Sequence, residues 1–353
     1  MLVTHRRKFV LTVIPFCAGI FAFWTISEVY HKRKALLFEK TFREQHSKRE
    51  GHYTRPEHAV ANQSQRNFHK HTLDEPPVYG LPKPLYLHYI RFKPKNGDTE
   101  FKFTDFLSVM SAVQYLKPDE IVLHGDFVPS GPYWLNLTSR KLIKHISMER
   151  PIDVGMRRRK PKKIGFIEHS ADIAKLDVLV EYGGITADFD VYFIRGERIK
   201  EILRRRKAVT CYGDQDGNNI GLVAGHKDSL FLWAWRRSYR DIYVDDWNFN
   251  QAFVSTYLSA VLPDEVYVVD HVCNNPFPAG NILDQFFKQY GMIQWKDSAA
   301  IHSYQRLAGV AVDTSKDLEG EATSFKEMLQ YIYHNQSLPL VNPLFRDEIF
   351  AAP

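Results

Sequence analysis

Hydrophobic and polar residues alternate along most of the chain in patterns that predict strands and helices in turn. From position 83 on, short apolar runs typical of strands occur at 84–92 (PLYLHYIRF), 120–126 (EIVLHGD) and 164–167 (IGFI). Apolar residues at helical spacing occur in 103–116 (FTDFLSVMSAVQYL), with Thr104 or Asp105 as candidate N-cap, and in 140–146 (RKLIKHI). This alternation predicts an α/β domain with a largely parallel sheet, in which ligands bind beyond the ends of the strands.

The first 80 residues do not show this pattern. Phe9–Ser27 carries no charge and lies between two basic runs, and a helix of about 20 apolar residues spans a bilayer. We predict a cytoplasmic tail at 1–8, an uncleaved signal-anchor helix at 9–29, a flexible polar stem at 30–80 and a lumenal domain at 81–353. A cleaved signal peptide is the alternative, although its apolar run is usually shorter and ends at a small-residue cleavage site.

Sequons and cysteines bear on the compartment. Asn62, Asn136 and Asn335 each begin an N-glycosylation sequon, which agrees with a lumenal position of the chain after the anchor. Three cysteines are too few for a disulfide framework. Because Cys17 falls in the predicted anchor, Cys211 and Cys273 remain as either a lumenal disulfide or two buried thiols.

The charge of the chain is moderately basic. A net charge of +6 and a pI near 9.0 fit nucleic acid, an anionic membrane surface or phosphorylated small molecules. The basic runs at 157–163 and 204–207 lack the interleaved aromatic residues of a nucleic-acid-binding surface. We therefore interpret them as solvated loop faces and exclude nucleic acid as a partner.

A helix is predicted in the middle of the chain, over 168–184 (EHSADIAKLDVLVEYGG). Ser170 is its expected N-cap, and Gly183 or Gly184 its expected C-cap, because glycine adopts positive φ without strain. Asp172 and Lys175 are three residues apart and therefore share a face of this helix. Asp172 is expected in the first turn, near the positive end of the helix dipole.

The strand pattern that follows, ITADFDVYFI (185–194), contains two aspartates one residue apart. Asp188 and Asp190 point to the same side if the backbone stays extended, or flank a bend where the strand ends. Two carboxylates so close repel each other, and a hard divalent cation relieves that repulsion while taking its remaining ligands from water and phosphate oxygens. The alternative is a solvated turn between two strands.

The stretch 169–196, HSADIAKLDVLVEYGGITADFDVYFIRG, resembles the core of the DXD-motif sugar-binding family of glycosyltransferases, whose fold is of the GT-A type. That family includes α1,4-N-acetylglucosaminyl- and α1,4-galactosyltransferases and initiating α1,6-mannosyltransferases of the fungal Golgi. The resemblance implies that Asp188 and Asp190 are catalytic and bind Mn²⁺ or Mg²⁺ together with the donor diphosphate. It gives donor-binding roles to Asp172, Lys175, Tyr182, Gly183 and Gly184.

The sequence departs from the family at three positions, and three further segments resemble it. Lys175 stands where the family often has arginine, and Thr186 and Ala187 stand where tyrosine and leucine are usual. DSAAIHSYQR (297–306) resembles a late family segment, which makes His302 a candidate metal ligand or phosphate contact. DDWNFNQAF (245–253) resembles a segment with Trp247 and Asn248 at the sugar pocket; its alternative is a helix start capped by Asp246. In the strand-then-helix segment 217–239, we expect the two tryptophans Trp233 and Trp235 in the core.

The resemblance implies a retaining, metal-dependent glycosyltransferase of the Golgi membrane, single-pass type II. It would move a hexose or N-acetylhexosamine from a UDP- or GDP-linked donor to a glycan, glycolipid or glycoprotein hydroxyl. No nucleophile stands out in the sequence, so a front-face route assisted by the leaving phosphate is the simpler hypothesis. An inactive, membrane-anchored sugar- or nucleotide-sugar-binding protein of the same fold is the alternative. A haloacid-dehalogenase-type phosphatase is disfavoured, because VYF follows the second aspartate where that site needs a small residue and threonine.

Overall fold

The computed structural model describes residues 78–155, 161–213, 217–269, 273, 281–291, 293 and 295–339. Strands and helices alternate along them, as the residue pattern predicts. In chain order the elements are β1 (Tyr86–Ile90), α1 (Phe103–Ser111), β2 (Glu120–Gly125), α2 (Pro132–Ser139), β3 (Lys144–Ser147), β4 (Asp153–Val154), β5 (Lys162–Lys163), α3 (Ile167–Tyr182), β6 (Gly184–Ala187), β7 (Val191–Phe193), α4 (Glu197–Leu203), β8 (Ala208–Tyr212), β9 (Asn218–Gly225), α5 (Leu230–Asp241), α6 (Val254–Val261), β10 (Val266–Val269), α7 (Ile282–Lys288), β11 (Ala300–His302), α8 (Gln305–Ala308) and α9 (Ser324–Tyr333). A π-helical turn extends α1 over Ala112–Leu116, and another, Phe249–Phe253, precedes α6.

The main sheet is mostly parallel, as predicted. Its seven strands lie in the order β10–β8–β9–β6–β1–β2–β3. Neighbouring strands are parallel except where β9 runs against β6 and β8. The carboxyl ends of β1, β6 and β8 therefore meet the start of β9 at one edge of the sheet. That edge is where ligands bind in sheets of this kind.

Helices cover both faces of the sheet. In a strand, successive side chains point to opposite faces, and β9 shows this directly: Leu222 and Ala224 join one apolar core, whereas Val223 joins another. The first core packs under α1 and α4, and the second under α3 and α5. A third core lies beside the two-stranded sheet of β7 and β11, against α1, α7 and α9.

Two of the predicted elements are wrong. Residues 140–146 do not form a helix, because the Leu142 N–H closes α2 onto the Leu137 carbonyl and Lys141 takes a positive φ of 56°. The segment then pairs with β2 as the edge strand β3. Residues 164–167 do not form a strand: the Gly165 N–H donates to the Asp245 carboxylate at 3.2 Å rather than to a neighbouring strand, and α3 already begins at Ile167.

Several helix details also differ from expectation. Since α3 begins three residues before Ser170, that residue is not its N-cap, and Asp172 lies in the second turn; the Ser170 hydroxyl donates to the Pro151 carbonyl at 2.6 Å. The predicted C-cap Gly183 is confirmed, with φ of 72°. Lys102 is the N-cap of α1. Trp235 is fully buried as expected, but Trp233 is 48% exposed.

Cys211 and Cys273 form a disulfide with a Cα–Cα distance of 5.8 Å and are therefore not two buried thiols. Asn136 and Asn335 are both exposed. Among the described residues, no helix combines the length and apolar character needed to cross a bilayer. The predicted tail and anchor, all but the last three residues of the stem, Asn62 and Cys17 lie outside the described residues.

Candidate active site

A cavity of about 1020 Å³ opens at the sheet edge where β1, β6 and β8 end and β9 begins. Residues just beyond these strand ends line it, among them Arg91 after β1, Asp188 after β6 and Gly213 after β8. The cavity brings together seven of the sequence-predicted site residues: Asp172, Lys175, Asp188, Asp190, Trp247, Asn248 and His302.

The two aspartates flank a turn, which is the second of the two conformations that the sequence allowed. The strand pattern at 185–194 is divided into β6 and β7, and the Val191 N–H donates to the Asp188 carbonyl at 3.0 Å across the turn. The Asp188 N–H is held by the Gly221 carbonyl of β9 at 2.9 Å. Phe189, between the aspartates, packs against the apolar core. Both aspartate side chains remain partly accessible, 35% for Asp188 and 29% for Asp190.

His302 joins the aspartates because β11 pairs antiparallel with β7, with His302 opposite Val191. Its Nε2 lies 3.2 Å from Asp190 Oδ1. One ligand atom from each of Asp188, Asp190 and His302 lies within 4.8 Å of the other two. Burial tends to raise the pKa of Asp190, but His302, a backbone hydrogen bond and Lys175 together outweigh it, so that the pKa lies below the usual carboxyl value.

The residues present fit a divalent cation. The two carboxylates offer the oxygen ligands that Mn²⁺ and Mg²⁺ prefer, and the imidazole adds a nitrogen ligand of the kind that transition metals bind. Tyr304 stacks on the imidazole ring with ring centres 3.9 Å apart and so restricts its position. The Nδ1 atom of His302 is buried and has no hydrogen-bond partner among the described residues. With Nδ1 facing the protein, Nε2 is the atom presented to the carboxylates.

Gly221 makes room for this ring. A Cβ at position 221 would lie 2.6 Å from His302 Nδ1, closer than atoms pack in proteins. The Gly221 N–H donates to Asn219 Oδ1 at 2.6 Å, and Asn219 in turn donates to the Tyr304 hydroxyl at 2.9 Å. Asn219, Gly221 and Tyr304 therefore support His302, although the sequence analysis did not single them out.

Lys175 is a buried cation between two carboxylates. Its Nζ lies 2.7 Å from Asp188 Oδ1 and 3.6 Å from Asp172 Oδ1, and it donates to the Ile220 carbonyl at 3.3 Å. Burial alone would lower the pKa of Lys175, but Asp188 and Asp172 together raise it above its usual value. Lys175 is therefore charged at neutral pH and lies beside the proposed metal ligands.

Asp172 differs from the other two aspartates in its burial. It is 5% exposed, and the Tyr239 hydroxyl donates to its Oδ2 at 3.3 Å. Burial raises the pKa of Asp172 to about 7, against the opposite effect of Lys175. Its carboxyl group can thus accept or donate a hydrogen bond at the cavity wall.

Trp247 and Asn248 line the cavity. Trp247 is 40% exposed and meets the Phe166 ring edge-on at 5.5 Å. The Asp246 carboxylate accepts the N–H groups of Asn248 and Phe249 at 3.0 and 3.1 Å just before the π-helical turn, whose N-cap is Asn248 and not the expected Asp246. An aromatic ring beside an amide at a cavity wall is typical of small-molecule binding sites.

Tyr182, Gly183 and Gly184 do not reach this cavity. Tyr182 and Gly183 precede β6 and Gly184 is its first residue, whereas Asp188 follows the strand, so all three lie at its opposite end. Gly183 caps α3, and its carbonyl accepts a hydrogen bond from His88 Nε2 at 3.1 Å. Gly184 has φ of 106°, and a Cβ there would lie 2.6 Å from the Tyr86 carbonyl oxygen. Their positions account for both glycines by backbone conformation and close packing.

Comparisons with known proteins close the description of the site. No family model matches the chain. It is 26% identical over 213 residues to Glucan organizing enzyme 1 of Cryptococcus neoformans var. grubii serotype A (strain H99), which covers 55% of this chain and 54% of that protein. The chain thus spans about half the length of the curated relative it matches.

Solved structures with partial likeness include the glycosyltransferase GlyE of Streptococcus pneumoniae TIGR4, with a TM-score of 0.40 and 10% identity over 77% of this chain and 64% of that one. PaToxG glycosyltransferase gives a TM-score of 0.36 and 12% identity over 74% of this chain and 89% of that one. The galactosyltransferase LgtC, in complex with donor and acceptor sugar analogues, gives 0.36 and 11% over 75% of this chain and the full length of that one.

Proposed function

We propose that this chain is a metal-dependent, retaining glycosyltransferase that moves a hexose or N-acetylhexosamine from a UDP- or GDP-linked donor to a hydroxyl of a glycan, glycolipid or glycoprotein. The observation that carries the proposal is the grouping of Asp188, Asp190 and His302 within 4.8 Å, in a cavity that also contains Asp172 and Lys175. The fungal relative is named for glucan, which agrees with a glycan acceptor.

Each side chain has a role in this proposal. Asp188, Asp190 and His302 hold the cation, which when bound neutralises charge on the leaving diphosphate. Lys175 adds a second positive charge beside it. Asp172 accepts or donates hydrogen bonds at the sugar or ribose, and Trp247 and Asn248 form the wall of the sugar pocket.

The proposed chemistry is substitution at the anomeric carbon. The bond from that carbon to the phosphate oxygen breaks, and a bond to the acceptor hydroxyl oxygen forms. The hydroxyl proton passes to the leaving phosphate, so that donor and acceptor meet on one face of the sugar and its configuration is kept. NMR of the product measures the anomeric configuration, and an inverted product would refute retention.

The proposal includes residence in the Golgi membrane as a single-pass type II protein, anchored through 9–29, with the catalytic domain in the lumen. The exposed sequon Asn136 on α2 offers the readout. A lumenal domain is expected to carry an N-glycan there that a glycosidase removes, and Asn136→Gln should abolish the corresponding shift in gel mobility. A domain protease-sensitive in intact vesicles would contradict this topology.

The deciding experiment is a donor panel with the full chain purified in detergent. Mn²⁺-dependent release of UDP or GDP, increased by a sugar acceptor, is the expected result. Asp190→Asn keeps the volume of the side chain and removes its charge, so it should abolish release. Release by that variant at the wild-type rate would refute the assignment.

A specific observation favours a second candidate, a sugar- or nucleotide-sugar-binding protein without turnover. Both aspartates already have cationic or imidazole partners, Lys175 at 2.7 Å and His302 at 3.2 Å, and so are compensated without a metal. In that case the donor panel should show binding by calorimetry but no release of nucleotide.

A further inference from the structure

Phe189, the residue between the two aspartates, is enclosed by other aromatic rings. Phe189 lines the cavity beside Asp188 and Asp190, and its ring stacks on Tyr89 with centres 4.3 Å apart and an interplanar angle of 10°. Phe101 meets the same ring edge-on at 5.2 Å. Stacked and edge-on aromatic pairs restrict both the position and the tilt of a ring.

The side chain of Arg91 lies over another part of the same ring. The Arg91 guanidinium lies 4.5 Å from the centre of the Phe189 ring. It is fixed there by a bidentate ion pair with Asp105, at 2.8 and 2.9 Å, and Asp105 is 9% exposed at the side chain. A bidentate arginine–carboxylate pair fixes direction as well as distance. Because both donor groups at the tip are bonded to Asp105, the guanidinium keeps its place over the ring.

Helix α1 supplies the other side of the support. Asp105, Ser108 and Ser111 are spaced by three residues and therefore share one face of the helix. The Ser108 hydroxyl donates to the Val191 carbonyl at 2.6 Å, and the Ser111 hydroxyl accepts the Phe193 N–H at 2.9 Å. The same helix face thus fixes β7, directly after Asp190, and fixes Arg91 over Phe189.

We propose that Arg91 is a positioning residue for the cation site: together with Asp105 it holds Phe189, and thereby the angle between the Asp188 and Asp190 carboxylates. This inference depends on the proposed function, since it concerns the same cation. Among the described residues, Arg91 forms its ion pair with Asp105 and none with the group of three ligands. Groups hydrogen-bonded directly to metal ligands typically change metal affinity by about 10- to 100-fold, and Arg91 acts one contact further out, so its loss is expected at the lower end of that range.

The test is Mn²⁺ binding by isothermal titration calorimetry on the full chain in detergent, without donor. Arg91→Met should weaken binding by about 10-fold or more at unchanged stoichiometry. Arg91→Lys keeps the charge over the ring but loses the bidentate pair, so it should fall between Arg91→Met and the wild type. The matched control is Arg236→Met, which breaks another arginine–aspartate pair, with Asp177, outside the cavity lining.

The outcomes separate the two proposals. Wild-type affinity in Arg91→Met overturns the positioning role alone, as does an equal loss in Arg236→Met, which would mean general destabilisation. A wild-type chain that binds no Mn²⁺ overturns the metal-dependent function and this inference with it. If Arg91→Met does not fold, Asp105→Asn replaces it, since this variant removes the ion pair and its bidentate geometry without a change in volume, and the same criteria apply.

Discussion

Gly221 shows how one missing side chain can decide a site. A Cβ at this position would lie 2.5 Å from Cε1 and 2.6 Å from Nδ1 of His302, so Gly221→Ala must displace the imidazole or the strand. We expect Mn²⁺ affinity to fall by about 10-fold or more while the fold is retained, as measured by calorimetry and by thermal melting. Gly155→Ala is the control, because nothing lies within 4 Å of its added Cβ. Equal Mn²⁺ binding by the two variants would contradict the spacing argument.

Lys175 offers a second prediction, on stability. Lys175→Met leaves the buried Asp172 carboxyl without its cation; since the pKa of Asp172 is already raised to about 7, the group becomes neutral, and we expect a loss of about 1–3 kcal/mol of unfolding free energy for its unsatisfied hydrogen bond. Urea unfolding measures that loss. The control is Lys144→Met, whose ion pair with Glu120 is half exposed on both sides, so its loss should stay below about 1 kcal/mol. Equal losses in the two variants would show that burial does not matter here.

The site was predictable from the sequence where the evidence lies close together along the chain. The spacing of Asp188 and Asp190, and of Asp172 and Lys175, indicated charged groups on common faces. Arg91 and Tyr304 were missed, because their contacts join positions 14 and 85 residues apart, Arg91 with Asp105 and Tyr304 with Asn219. Gly221 did leave a signal: an isolated glycine within a strand pattern marks a close approach of another group.

At the scale of elements, prediction followed the strength of the apolar pattern. Strands β1 and β2 and helix α1 have long apolar runs or clear helical spacing, and all three form. The segment 140–146 has two adjacent apolar residues, Leu142 and Ile143, and so short a run does not separate strand from helix. The positive φ of Lys141 ends the preceding helix, and pairing with β2, a tertiary contact, then makes the segment a strand.

Strands β1 and β2 also contain a histidine pair that should make stability depend on pH. His88 Nε2 donates to the Gly183 carbonyl, so its Nδ1 accepts the N–H of His124 Nε2 at 3.0 Å. A proton added to either ring would place two N–H groups against each other or leave a buried charge. Burial lowers the pKa of His88 to about 4 and that of His124 to about 3.

The sign of this pH dependence follows from the unfolded value of about 6.5. Below pH 6.5 the unfolded chain takes up protons that the folded chain excludes, so stability is lost as the pH falls towards 4. The slope is about 1.4 kcal/mol per pH unit for each histidine, or about 5 kcal/mol for both between pH 6.5 and 4.5. Urea unfolding over this range measures it. The His88→Gln/His124→Gln variant should show a shallower slope, and an unchanged slope would assign the effect to other groups.

At the scale of the whole molecule, the sheet direction was predictable but the packing of the cores was not. Alternation of strands and helices favours parallel strands with crossovers, and the sheet is parallel except at β9. The assignment of apolar residues to separate cores depends on which helix covers which face, and this is decided by contacts between distant segments of the chain. The pairing of Cys211 with Cys273 could not be predicted for the same reason, because 62 residues separate the two cysteines.

That separation gives a prediction for the molecule as a whole. A disulfide that closes a loop of this length restricts the unfolded chain, and loop-closure entropy corresponds to about 4 kcal/mol. Reduction, or the Cys211→Ala/Cys273→Ala variant, should therefore lower the unfolding free energy by up to that amount, as measured by urea unfolding with and without reductant. The variant is its own control for the reductant, which should no longer change its stability.

Since Cys211 lies in β8 beside β9, whose Gly221 supports His302, the reduced protein should also bind Mn²⁺ more weakly. Equal stability of the oxidised and reduced wild-type chain would contradict the expected restriction of the unfolded chain by the disulfide.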